Sequence, residues 1–254
     1  MKKVIFCAGA LLCGAVVMAQ DNFSLSTQTG NANTVNVDQT AGDFSISGIA
    51  QIGDNNTGNV TQASEGNYAA VSQTGNWNTA TTSQNENGVQ QGGYNQSTQT
   101  QVGNYNTATV TQDTQYASGN GNGTTNSVAV QTQTGDGNVA TATQANNAHQ
   151  NTQTQVGNNN SSVDLQKGST EVSVTEQYGN HNTSTVVQNA WGNNNYVKQS
   201  GNYNSSTINQ DGGQNMNTFI QTGNNNTGVI SQVGDNNVNV SLATGNFNNT
   251  NVSQ

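Results

Sequence analysis

Apolar side chains are sparse along this chain, and they recur at fixed places. Val37, Val60, Val71, Val110, Val186, Val197, Ile208, Phe219 and Ile230 each stand nine residues after a glutamine. Val252 stands nine residues after Ala243, which occupies a glutamine's place. Two residues before the apolar position the side chain is small: Ala80, Ala108, Ala140, Ser162, Ser173, Ser184 and Ser206. Two residues earlier again it is asparagine, and two residues after the apolar position the next glutamine arrives. Asparagine, small, apolar and glutamine thus share one face of an extended strand, because side chains alternate across a strand with period two. The positions between them are mostly Thr, Ser and Asn, and Thr with Val suits a pleated surface. The pattern predicts a seven-residue β-strand whose inward face mixes amides with hydrocarbon. Between each glutamine and the next asparagine stand glycine and further Asn or Asp, residues that accept positive φ and make tight turns.

This unit repeats every eleven residues. Its glutamines are Gln28 and Gln39; Gln51, Gln62, Gln73 and Gln84; Gln101 and Gln112; then Gln133, Gln144, Gln155, Gln166, Gln177, Gln188, Gln199, Gln210, Gln221, Gln232 and, past Ala243, Gln254. The asparagines in register are Asn33, Asn56, Asn78, Asn106, Asn138, Asn160, Asn182, Asn204, Asn215, Asn226, Asn237 and Asn248. The turn glycines are Gly30, Gly53, Gly75, Gly103, Gly135, Gly157, Gly179, Gly201, Gly212, Gly223, Gly234 and Gly245. One extra residue separates Gln39 from Gln51. The step from Gln84 to Gln101 is 17 residues, which reads as a turn with an insertion of six. The step from Gln112 to Gln133 is 21 residues, which reads as one short of two units, so 113–126 is the least regular part.

A strand and a tight turn in each unit imply a two-strand rung of about 22 residues, with successive rungs in parallel at roughly 4.8 Å. The expected fold is all-β: a flat parallel β-solenoid of about ten rungs rising roughly 48 Å, cross-β when assembled. A buried, unpaired amide is costly. Identical residues stacked on successive rungs remove that objection, because each Gln or Asn pairs with the copies above and below. The absence of proline fits, since proline lacks the ladder's donor.

Composition narrows the function. Asn (46) and Gln (29) dominate, only 30% of residues are hydrophobic, and 7% are charged. That is too little core for a packed enzyme, whose usual apolar share is about 45–50%. With four basic residues against 13 acidic ones, no cationic footprint for nucleic acid exists. An Asn/Gln-rich disordered linker is the competing reading, and the fixed spacing and alternating faces argue against it.

The N-terminus reads as an export signal over 1–19. Lys2 and Lys3 precede an uncharged apolar stretch from Val4 to Met18, and Val17 and Ala19 suit a cut after Ala19. Phe6 before Cys7 and Leu12 before Cys13 lack the small residue that lipidation needs. The mature chain, Gln20–Gln254, would hold no cysteine and only Lys167 and Lys198 as bases. Its layout is a short segment at 20–27 and repeats over 28–254.

The spacing Q-x-G-x-x-N, with the next glutamine following, resembles the curlin repeat, the unit of extracellular curli amyloid fibres of bacterial biofilms. The matching residues include Gln73, Asn78 and Gln84; Gln101, Asn106 and Gln112; Gln177, Asn182 and Gln188; and Gln221, Asn226 and Gln232. Asn often stands where the family's second strand begins with Ser, and Gln20–Thr27 is too short to be an obvious counterpart of its secretion segment. The resemblance implies a secreted, self-polymerising fibre subunit of the cell surface, without cofactor. Its implied partners are further copies of itself joined head to tail, a nucleator subunit, a dedicated outer-membrane pore and periplasmic chaperones. A minor or nucleator subunit would share the same repeats.

Other features are weaker. His149 and His181 sit in different units without cysteine partners, and solvated positions are expected rather than a metal site. The turn acids Asp54, Asp136, Asp211 and Asp235 lack a calcium-roll pattern and read as gatekeepers that slow assembly. Trp77, Tyr94, Tyr105, Tyr203 and Phe247, with His181, precede the unit's asparagine. They read as turn packing, or else as a lateral strip for neighbouring fibres or glycans. Thr107, Thr109 and Thr111, with Thr141 and Thr143, raise an ice-binding solenoid as an alternative. Rows at Val163 and Leu165, and at Val172 and Val174, are expected to interrupt that face.

Overall fold

The computed structural model describes residues 13–19, 21–39, 43–85, 93–113 and 126–254. Its strands, in chain order, are β1 (Cys13–Ala19), β2 (Asn22–Thr29), β3 (Thr34–Asp38), β4 (Ile46–Ile52), β5 (Thr57–Gln62), β6 (Tyr68–Thr74) and β7 (Thr79–Asn85). There follow β8 (Gln96–Val102), β9 (Thr107–Asp113), β10 (Val128–Thr134), β11 (Val139–Ala145), β12 (Gln150–Val156), β13 (Ser161–Gln166) and β14 (Val172–Tyr178). The last are β15 (Thr183–Asn189), β16 (Asn194–Ser200), β17 (Ser205–Asp211), β18 (Met216–Thr222), β19 (Thr227–Val233), β20 (Val238–Thr244) and β21 (Asn249–Ser253).

Even-numbered strands from β2 to β20 form sheet A and odd-numbered strands from β3 to β21 form sheet B. Each strand pairs in parallel with the strand two places on, and ladder glutamines fall opposite one another, as Gln133 does to both Gln101 and Gln155. The result is the expected all-β solenoid of two-strand rungs, ten strands deep on each side once β1 is set apart. β1 pairs antiparallel with β2, Cys13 opposite Gln28 and Ala19 opposite Asn22. It lies within the expected export signal, whose residues 1–12 fall outside the described residues.

The two long steps resolve alike. The 17-residue step joins β7 to β8, and the insertion falls on 86–92, outside the described residues. The 21-residue step joins β9 directly to β10. Reading it as nearly two units is therefore corrected: it advances the ladder by one unit, because Gln133 pairs with Gln101 and Gln144 with Gln112, and the extra residues fall on 114–125, outside the described residues.

Burial alternates along the central strands, inward positions buried and outward ones half-buried, as in β9 and β14, or exposed, as in β19. The apolar core comes in three pieces. Ile49, Val60, Ala69, Val71 and Ala80 pack near the N-terminal end. Val110, Ala129 and Ala142 follow, then Val186, Val197, Ile208, Phe219 and Ile230. Large residues face small ones across the thin interior. The Phe219 ring occupies the space where a side chain at Gly228 would sit, which keeps the sheets at one separation.

Candidate functional site

The surfaces that matter are set by the amides. In sheet A each ladder glutamine donates from Nε2 to Oε1 of the glutamine one rung on, from Gln28 through Gln51, Gln73, Gln101, Gln133, Gln155, Gln177 and Gln199 to Gln221, at 2.8–2.9 Å. In sheet B the same chain of bonds runs from Gln39 through Gln62, Gln84, Gln112, Gln144, Gln166, Gln188, Gln210 and Gln232 to Gln254, at 2.8–3.1 Å. The second Nε2 hydrogen crosses to the opposite sheet, as Gln155 does to the Val139 carbonyl and Gln166 to that of Gln150. One side chain thus ties its rung both along the stack and across it.

The asparagine ladder at the turn from sheet A to sheet B runs the other way. Nδ2 of Asn56 donates back to Oδ1 of Asn33, and Asn78, Asn106, Asn138, Asn160, Asn182, Asn204, Asn226 and Asn248 repeat this at 3.0–3.2 Å. Each Oδ1 also accepts the backbone N–H of the next asparagine, as Asn33 does from Asn56. A third ladder lies on the turn itself. Backbone N–H groups donate forward to side chains at Asp54, Asn76, Asn104, Asp136, Asn158, Asn180, Asn202, Asn224 and Asn246. Asp54 and Asp136 therefore serve as acceptors within a ladder, and Asp235 does the same for Gly213 on the opposite edge.

All twelve predicted turn glycines have positive φ, from +92° at Gly234 to +121° at Gly201. Space demands glycine as much as the dihedral does. A Cβ on Gly157 would enter the carbonyl of Gly179 one rung on, so turns stack at strand spacing only without side chains there.

At the other edge, from sheet B to sheet A, Asn215 and Asn237 hold their expected places. Asn215 donates its N–H to Asn193 and Asn237 donates to Asn215. This edge is mixed, and it includes Asn67, Asn95 and Asn193, which the sequence reading passed over. Asn67 and Asn193 stand five residues after Gln62 and Gln188, in the unit's own register, whereas Asn95 lies within the 17-residue step and only its pairing with Asn67 recovers its place. His149 and Glu171 occupy successive places in the same column. The expectation of a solvated His149 is corrected: its side chain is fully buried, as is that of Glu171. His149 Nδ1 lies 3.6 Å from Glu171 Oε2. His149 Nε2 meets the Ala145 carbonyl at 2.9 Å, so Nε2 carries the proton and Nδ1 is left as an acceptor. Burial pushes the Glu171 carboxyl up to about 8 and pulls His149 below its ordinary value. The pair is a neutral acid beside a neutral imidazole, not an ion pair, because two charges here would lose their water.

Asp164 is the second buried acid. It stands where most units carry an apolar residue and accepts from Asn151 Nδ2 at 2.9 Å and Ser173 Oγ at 3.0 Å. Burial raises its pKa to about 6 despite these donors. A short extra ladder runs beside it: Gln99 to Gln131 at 3.0 Å and Gln131 to Gln153 at 2.7 Å. The Q-T-Q triplets at 99–101, 131–133 and 153–155 carried that signal.

Trp77, Tyr105, His181, Tyr203 and Phe247 align on the sheet A to sheet B edge, and Tyr94 lies on the other. Trp77 stacks on Tyr105 at 6.3 Å and His181 on Tyr203 at 4.7 Å, with planes within 6°. The rings turn their faces to one another along the stack, which suits turn packing. On the outer face of sheet B, Val163 interrupts the threonine column through Thr109 and Thr141, and Leu165 the one through Thr111 and Thr143. Val172 and Val174 belong to sheet A, so they do not. Among the described residues no three His, Cys, Asp or Glu side chains gather to hold a metal ion.

The stack ends on two unlike faces. At the C-terminal face Gln254 is exposed, one Nε2 hydrogen donating to Val238 and the other pointing onward. At the N-terminal face Gln39 and Gln28 head their ladders with Oε1 as acceptor. The sheet A ladder stops one rung early, because Ala243 lies opposite Gln221. Ala243→Gln is expected to add the missing acceptor for Gln221 and to stabilise the mature chain by about 1 kcal/mol. The urea midpoint of unfolding checks this, and an unchanged or lower midpoint would count against the ladder's role at this rung.

Residues 49–85 match the family model of the curlin associated repeat, a segment running from within β4 to the end of β7. The resemblance read from the glutamine spacing is borne out there, and the other rungs carry the same ladders. No curated protein matches the chain.

Proposed function

We propose that this chain is a structural subunit that polymerises into extracellular curli-type fibres by stacking copies end on end. The observation that carries the reading is the matched polarity of the ladders reaching the two end faces. Gln254 would donate to Oε1 of Gln39 in the next copy, and the Asn246 N–H to Oδ1 of Asn31. Asn33 of that copy would donate back to Oδ1 of Asn248. Two like faces would instead set acceptor against acceptor. A heterologous, non-closing contact of this kind generates an open filament, and unprotected strand edges template further pairing. β1 covers the outer edge of β2, so removal of the export signal would open the N-terminal face.

The role is mechanical rather than catalytic, in a biofilm matrix and in adhesion. Export through an outer-membrane pore, periplasmic chaperones and a nucleator subunit follow from the curlin resemblance. A nucleator role for this chain itself has no observation in its favour.

Two blocked variants of Gln20–Gln254 test the reading. Ala243→Lys with Val252→Lys places inward charges at the C-terminal face, and Ser26→Lys with Val37→Lys does so at the N-terminal face. The unmodified chain is expected to form fibres with a meridional spacing of about 4.8 Å. Each blocked variant alone is expected to stay monomeric with its β signal intact, and their mixture to stop at dimers. Homodimers of a single variant would overturn head-to-tail addition, and an unmodified chain that never polymerises would overturn the function.

A further inference from the structure

The outer face of sheet A is most apolar at its two ends. At the C-terminal end Val238, Val240 and Leu242 are 58%, 75% and 67% exposed. At the N-terminal end Leu25 and Ile46 are exposed and share columns with Gly48 and Phe23. Between the ends the columns are interrupted by Thr98, Thr132 and Thr152. Glu176 and Lys198 add an ion pair at 3.5 Å to the same face.

Stacking joins the two ends. The ladder places Ala243 over Gln28 of the next copy, so the strand register sets Val238 beside Phe23 and Val240 beside Leu25. A contiguous apolar patch then forms across each junction, one that a monomer lacks. On sheet B the same junction brings Asn249, Asn251 and Ser253 against Thr34, Asn36 and Asp38, all polar. The patch is therefore one-sided, flat and uncharged.

We infer that the sheet A side of each junction is the docking surface for a second fibre of this same chain, sheet A against sheet A. The inference rests on the end-on stacking proposed above. A patch of a few hundred Å² marks an interaction surface, yet it is well below the roughly 1,200 Å² of a stable complex. Monomers accordingly have no lateral dimer to form. Two fibres meet once per subunit along their whole length, and contacts too weak singly hold through multivalency. An identical uncharged face is the complementary partner, since dry interdigitating faces of like sheets pack about 10 Å apart.

The test uses Gln20–Gln254 carrying Val240→Thr and Leu242→Thr, the residue type that fills the middle of this face. Mass per length and cryo-EM sections of the fibres are the readout, with seeded elongation measured alongside. Unmodified fibres are expected to be pairs, and variant fibres to be single, with mass per length halved and elongation unchanged. Val130→Thr, on the same face away from the junction, is expected to leave the pairs intact. Pairs that survive Val240→Thr with Leu242→Thr, or unmodified fibres that are single, would overturn lateral docking while leaving end-on stacking in place. A chain that forms no fibre would instead remove the reading on which the inference rests.

Discussion

Gln155→Ala is expected to break the stack near its middle. Gln133 Nε2 would lose its 2.9 Å acceptor and Gln177 Oε1 its 2.8 Å donor. The Val139 carbonyl would lose the cross-sheet bond at 2.8 Å. Each of the three buried groups left unpaired costs about 1–3 kcal/mol, so the expected loss is roughly 3–9 kcal/mol, before any cavity is counted. A small domain's entire stability is of the order of 5–15 kcal/mol. In a one-dimensional stack each rung touches only its neighbours, so the damage falls on one place. Urea unfolding of the mature chain should become biphasic, with the halves on either side of β12 separating. Thr154→Ala, on the outward side of the same strand, should change stability by no more than about 0.5 kcal/mol. A Gln155→Ala chain that unfolds in one transition within about 1 kcal/mol of the parent would show that the ladder is not what couples the rungs.

The second large effect is on pH. Asp164 rises from an ordinary 3.8 to about 6 when the chain folds. The folded state then holds its proton more tightly than the unfolded chain does. That contribution is fully present below the unfolded value and is lost as pH climbs through the folded one. Two pH units correspond to roughly 3 kcal/mol. Glu171, raised to about 8 beside His149, acts in the same direction and to higher pH. His149, lowered by burial, acts in the opposite direction below its ordinary value of 6.5, because the unfolded chain binds that proton. Asp164→Asn isolates one of the three. It keeps an oxygen for Asn151 and Ser173 and carries no charge. Relative to the parent, the variant should gain nothing near pH 4, gain steadily toward pH 6, and hold a constant advantage of about 3 kcal/mol above it. Unfolding midpoints across pH 4–9 measure the difference, and an advantage equal at pH 4 and pH 7 would refute a buried carboxyl as its cause.

Much of this molecule was legible as text because its period is short and its chemistry is repetitive. An eleven-residue recurrence of glutamine, with asparagine, small and apolar residues at alternate positions, determines strand length, facing and turn placement before any contact is known. It also determines that amides must stack, since a buried amide left unpaired is costly and its identical copies lie one rung away. What the pattern could not supply is pairing across the two long steps. A 21-residue step is compatible with one strand or two, and only the register of Gln101 against Gln133 decides it. The opposite directions of the glutamine and asparagine ladders were equally hidden. Either amide orientation satisfies a ladder, and the choice falls to the backbone carbonyl that each second N–H reaches, that of Val139 in the opposite sheet for Gln155 and that of Gly179 in the next turn of the same edge for Asn160. His149, Glu171 and Asp164 read as isolated polar residues in sequence. The stack alone sets His149 against Glu171 and encloses Asp164 among amides and hydroxyls, because residues one rung apart in the chain become neighbours only when the rungs are built.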